Sequence, residues 1–258
     1  MQTLTAPIAI VLDALSYLFA AASVVAIREG TPQRSGQLPS VGVVPAIRAG
    51  LRVVFGEPVL RAVTLGTATF VFWSSASSAL LVLFLLRDLG FAPWLLGVVL
   101  SAGATGGLLG AVAAAPLGRR FGSGRTMTYA LLLGGVGAGV APLAGLVPAS
   151  GALVLIVLSQ LVGWFGQQVY NVQQVPVRYA LTPDQLHGRV NATIRTVVWG
   201  SAPLGALLGG FLGEQWGLPA VLGISAAGAA LAAGWIFRSP AQRVHHVADL
   251  QPTRIPVG

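Results

Sequence analysis

Charged residues are so sparse along this chain that the apolar runs between them have the length of membrane crossings. Residues 62–86 carry no charge over 25 positions, and residues 215–237 carry none over 23. About 20 residues of helix cross the hydrocarbon of a bilayer, so each run predicts one crossing. A third uncharged run, 89–118, becomes apolar near Trp94. The run 126–177 is 52 residues long, too long for one crossing and right for two. It breaks at PLAGLVPAS, where Pro142 and Pro148 bracket a tight turn. A further crossing is expected over residues 190–213, with Arg195 close enough to its start to snorkel to the headgroups. A seventh precedes these, over about residues 8–27. Its Asp13 sits in the first turns, at the favourable end of the helix dipole. This stretch does not read as a secretory leader, because no basic residues precede it and Asp13 interrupts it.

The pattern therefore predicts an all-α, polytopic membrane helix bundle with seven transmembrane helices. A transmembrane helix occupies residues 1–28, and a loop with an amphipathic helix residues 29–60. A six-helix bundle fills residues 61–237, and a tail follows over 238–258. Within the long connection, Ile47, Leu51 and Val54 recur at helical spacing with Arg48 and Arg52 beside them. That predicts an interfacial helix lying on the membrane surface and against the bundle. Thr182-Pro183-Asp184-Gln185 predicts a capping box with Thr182 as N-cap.

Composition agrees with the pattern. Mean hydropathy is +0.79 and only 9% of residues are charged, where soluble domains carry about 25%. The formal net charge is +8, yet no aromatic-basic pattern accompanies it, so nucleic acid is not an expected partner. Membrane lipids are. With no cysteine there is no disulfide framework and no thiolate chemistry. No catalytic or metal-binding motif appears, so no enzyme and no metal site are expected. The charge that remains is sided. Thirteen arginines fall in connections on one face of the predicted topology, and only Arg87 falls in those on the other. The positive-inside rule puts the arginine-rich face and the carboxyl end in the cytoplasm, with the amino end outside.

The fifth crossing carries the most informative chemistry. Gln160, Gln167, Asn171 and Gln174 are spaced by seven, four and three, which aligns them on one helical face. Amides facing lipid would lack hydrogen-bond partners. They belong either to a network between helices or to the wall of a polar cavity that contacts a solute. Gln168 and Gln173 lie off this line. Trp73 sits too deep in the second crossing for an interfacial aromatic and is a candidate cavity residue; Trp94, Trp216 and Trp235 lie near span ends. Gly103, Gly107 and Ala111, and Gly205 and Gly209, form small-residue stripes that let helices approach closely.

At GAVAAAPLGRRFGSGR and TPDQLHGRVNATIRTVVWGSAPLGALLGG the chain resembles the major facilitator superfamily. It is similar in particular to the drug-efflux branch that includes macrolide and enterobactin exporters. LDALSYLFAAASVVAIRE resembles the sixth helix of that family, and residues 61–237 its helices seven to twelve. The family's cytoplasmic signature falls at residues 115–124, where Ala115 replaces the first glycine and Arg119 the aspartate, while Arg120 and Gly122 remain. That departure leaves a basic turn to latch on neighbouring helix ends. With Arg189, Asn191 and Arg195, the pair Arg119 and Arg120 are the candidates for a cytoplasmic gate or loop. The resemblance implies a secondary active transporter in the plasma membrane, exporting small amphiphilic solutes or drugs. It implies no bound cofactor, with a proton gradient as the energy source. It also implies a missing N-terminal half as partner, so a truncated transporter is expected. The alternative is an inactive or scaffolding membrane fragment.

Overall fold

The computed structural model describes residues 5–26, 43–245 and 250. Two compact units divide the chain, residues 1–41 and 42–258. In the first, Thr5–Ala26 forms helix α1. It is 22 residues long, about the length of one membrane crossing. The side chain of Asp13 and the loop that carries Arg28 and Arg34 lie outside the described residues, as does Arg254 of the tail.

The second unit is helical throughout its described length. It runs α2 (Val43–Gly56), α3 (Pro58–Leu83), α4 (Pro93–Phe121), α5 (Ser123–Ala138), α6 (Ala149–Leu181), α7 (His187–Trp216), α8 (Leu218–Leu231) and α9 (Ala233–Phe237). A π-helical turn over Phe84–Asp88 extends α3 and 3₁₀ turns adjoin α5 and α7, so six segments are long and apolar enough to cross a membrane. They match the second to seventh expected crossings. The first expected crossing falls on helix α1, in the other unit. The protein is multi-pass.

Sequence signals account for the ends. Glu57 precedes Pro58 and accepts a hydrogen bond from the Val59 amide, capping α3. Pro93 opens α4 and Pro219 sits in the first turn of α8. Pro142 and Pro148 bracket a 3₁₀ turn over Ala141–Leu146, after which α6 begins. The expected loop at 115–124 is almost all helix. Arg119 and Arg120 close α4, and Gly122 alone breaks the chain, at φ 84°.

Helices this apolar gain little from hydrophobic burial against one another in lipid, so close backbone packing must hold them. Glycines supply it. Side chains at Gly205 and Gly209 of α7 would overlap the Phe72 and Ala76 carbonyls of α3. Gly106 and Gly110 of α4 press on Leu161 and Phe165 of α6, and Gly166 of α6 on Ala130 and Gly134 of α5. Gly135 of α5 meets Ala230 of α8. The stripe on α4 is therefore Gly103, Gly106 and Gly110. The expected Gly107 faces open space, because α4 has small residues on several faces and spacing alone does not choose among them.

The resulting order of contacts is α4, α6, α5, α8, α3, α7. The arc closes on itself where α6 and α3, its second and fifth helices, meet. α4 and α7 thus flank a front formed by α6 and α3, with α5 and α8 behind. Two buried clusters fill the bundle, one around Tyr170, Met127, Leu131 and Val63, the other around Phe84, Ile156 and Val221.

Helix α2 is present, and of its expected apolar positions Val54 faces the bundle while Ile47 and Leu51 do not. Gly50, Val53 and Val54 are buried, with Gly50 against Thr193 and Arg189 of α7. Ile47 and Leu51 are exposed. Close approach at Gly50 decides which stripe docks, and the exposed pair is free for the membrane surface.

Candidate functional site

Successive residues of an α-helix turn by about 100°, which places Gln160, Gln167, Asn171 and Gln174 within one narrow stripe of α6. On one side of that stripe lies Tyr170. Its hydroxyl hydrogen-bonds the Thr67 hydroxyl of α3 at 2.6 Å and the Val63 carbonyl at 3.2 Å. On the other side lies Trp164, whose ring fills the notch at Gly103 of α4. The amide stripe therefore looks out between α3 and α4, onto the front of the bundle. Gln160, Gln167 and Asn171 are half-buried there, and Gln174 is buried.

Sequence reasoning stopped the stripe one residue short. Arg178 lies four residues after Gln174 and so extends the same line, and α6 continues through it to Leu181. Its guanidinium donates to Gln174 Oε1 at 3.2 Å and to Asn191 Oδ1 of α7 at 2.9 Å. Arg178 Nε is buried and has no hydrogen-bond partner among the described residues. Arg178 had been counted only as a loop charge; its spacing from Gln174 was the available signal. Tyr170 was also missed, because its partner is 103 residues away in sequence.

The remaining candidates divide. Asn191 joins the stripe through Arg178. Arg189 sits where α7 meets α2, its carbonyl accepting from Thr193 at 2.9 Å. Arg195 is exposed on α7. Arg119 and Arg120 are exposed at the end of α4, and Arg120 lies 5.4 Å from the centre of the Phe121 ring. The expected arginine latch at this turn is not among the described bonds. The amides of Ser123 and Gly124 instead hold the carbonyls of His245 and Val244 at 3.3 and 2.9 Å. Trp73 packs away from the amides, its ring filling the notch at Gly228 of α8 and meeting Phe72 edge-on.

Gln173, off the stripe as expected, is buried and donates to the Ala114 carbonyl of α4, with Gly118 making room for it. The capping box at residues 182–185 does not form. Thr182 closes α6 by donating to the Arg178 carbonyl at 2.7 Å, and Pro183 caps a 3₁₀ turn. The helix expected from residue 190 begins at His187, whose ring contacts Asp184 at 3.2 Å and Tyr179.

A polar stripe thus runs down one helix, looks out between α3 and α4, and ends in an arginine bridged to α7. The model of the transmembrane secretion effector family of major facilitators matches residues 2–255. The chain belongs to the major facilitator superfamily. Members of that superfamily are membrane transporters rather than enzymes. Among curated proteins, the chain is 32% identical over 196 residues to a multidrug efflux pump, Tap, of Mycolicibacterium fortuitum. The match covers 74% of this chain and 44% of the pump, so the chain spans less than half the length of that relative. No solved structure gives a significant match.

Within this major facilitator chain, three acids or histidines never gather as metal ligands among the described residues. The site's chemistry is that of amides, one guanidinium and two hydroxyls. These groups donate and accept hydrogen bonds without changing charge, which suits reversible contact with a solute.

Proposed function

We propose that the front of this bundle is one wall of the pathway in a secondary active exporter of small amphiphilic solutes, drugs among them. The observation that carries the reading is the polar stripe on α6, half-buried from Gln160 to Asn171 and bridged to α7 through Arg178 at its end. Amides on such a wall offer a solute both donors and acceptors, while the flanking aromatic Trp164 offers apolar surface. The Arg178–Asn191 bridge joins α6 to α7 at the arginine-rich end and acts as the gate there, in place of Arg119 and Arg120. The kinship with a multidrug efflux pump supports drugs as the solute class.

Alternating access needs a second bundle to rock against this one. The front between α4 and α7 is where that partner sits. Orientation follows the positive-inside rule, with the arginine-rich end in the cytoplasm and the chain in the plasma membrane. A proton gradient supplies the energy, and its coupling carboxylate belongs to the partner bundle, since the described part of α6 holds no acidic residue. The second reading is a membrane fragment or scaffold without transport.

Dye efflux from cells expressing the chain with its partner half separates the two. The first reading expects Gln167→Ala with Asn171→Ala to cut efflux by about tenfold, the effect of roughly 1.4 kcal/mol of lost solute contact, at unchanged protein level. Efflux that is the same with and without the chain leaves the scaffold.

A further inference from the structure

Away from the amide stripe, a cavity of about 740 Å³ opens among the start of α3, α5, and the ends of α8 and α9. Its rim and its depth differ in chemistry. Arg61 lies in the first turn of α3, and Arg238 directly follows α9, with Ser239 beside it. Among the described residues, no acidic side chain lines the cavity, and the Arg61 guanidinium donates to the Phe55 carbonyl at 3.5 Å. Deeper in lie Leu132, Leu231 and Trp235, all exposed although strongly apolar. Seven residues of mostly helical chain separate Leu231 from Arg238, about 10 Å. Trp235 is held in place by its indole, which donates to Thr69 Oγ1 at 3.1 Å.

We propose that this cavity is a binding site for an anionic phospholipid. Its phosphate sits between Arg61 and Arg238, and an acyl chain follows Leu132 and Leu231 past the face of Trp235. Charge complementarity selects the occupant. Guanidinium groups pair with phosphate oxygens by two parallel hydrogen bonds, and basic pockets between transmembrane helices attract anionic headgroups. A cationic amphiphile would meet two positive charges. A zwitterionic lipid would bring its own cation to the same rim. The gradient from cationic rim to aliphatic depth over about 10 Å matches the step from headgroup to upper acyl chain. Arg61 and Arg238 come from opposite ends of the sequence, so a lipid held by both ties α3 to α9.

The purified chain in detergent, titrated with phosphatidylglycerol or with phosphatidylcholine of the same acyl chains, tests this by native mass spectrometry. Phosphatidylglycerol is expected to be retained at about tenfold lower concentration. Arg61→Gln with Arg238→Gln should abolish that preference. Arg119→Gln with Arg120→Gln removes equal charge from the same end of the bundle and should keep it. Free glycerol phosphate should not displace the lipid. Phosphatidylglycerol with brominated acyl chains should quench wild-type tryptophan fluorescence more than that of Trp235→Phe, which locates the lipid independently of the arginine variants. Equal retention of the two lipids, equal loss of preference in both arginine pairs, or equal quenching in Trp235→Phe would each overturn the site.

Discussion

Tyr170 is the residue on which the middle of the bundle turns. It is fully buried in a helix that otherwise meets α3 very little, and its hydroxyl is shared between Thr67 and the Val63 carbonyl. Tyr170→Phe keeps the ring and removes the hydroxyl. The expected cost is about 1 kcal/mol, the usual worth of such a bond and close to values measured between membrane helices. Thermal unfolding in detergent reads it as a lowered midpoint, and an unchanged midpoint would mean the bond contributes nothing. The amide stripe was legible from spacing alone, since helical periodicity depends only on sequence. Which amides are bridged was not legible. Gln173 and Gln174 are adjacent and alike in sequence, yet one reaches the Ala114 carbonyl and the other takes a hydrogen bond from Arg178. Only the positions of α4 and α7 distinguish them. Thr182 illustrates a related failure. Its hydroxyl was expected to cap the following helix, and it bonds back to the preceding turn instead, a competing local bond open to any threonine.

Between helices, glycine decides which faces meet. Gly205 and Gly107 are both glycines inside long transmembrane helices, and they should respond oppositely to alanine. At Gly205 the added carbon would strike the Phe72 carbonyl, backbone that has no room to yield. Gly205→Ala should destabilise by about 1–3 kcal/mol, the range for overpacking a tight contact. At Gly107 nothing lies within 4 Å, and Gly107→Ala should be neutral or stabilising by up to about 1 kcal/mol through helix propensity. Equal effects at the two sites would contradict the packing. The stripe expected on α7, Gly205 and Gly209, is the one that meets α3. On α4 small residues surround the helix, so the contact face emerges only with its neighbour in place. The bridge between α6 and α7 is an element-scale prediction as well. Because the chain has no cysteine, a single Asn171→Cys variant reports access to the front. Adding Arg178→Gln should speed its reaction with a water-soluble maleimide from the arginine-rich side several-fold. An unchanged rate would remove Arg178 from the gate.

At the scale of the whole molecule, the charge-free runs were enough to place six crossings and the turns between them. That is physically reasonable, because a bilayer sets the length of each helix and water claims the charges. The order of helices around the bundle was not legible, since it depends on glycine notches formed by residues far apart in the chain. The first expected crossing coincides with the 22-residue helix α1. The sidedness of the arginines underlies the gate, the orientation and the lipid site together. Labelling single cysteines from either side of a sealed membrane tests it most directly, with Phe121→Cys at the turn after α4 and Leu146→Cys at the turn before α6, both exposed positions. The account predicts that an impermeant maleimide reaches Phe121→Cys from the cytoplasmic side only and Leu146→Cys from the outside only. Labelling of both from the same side would contradict it.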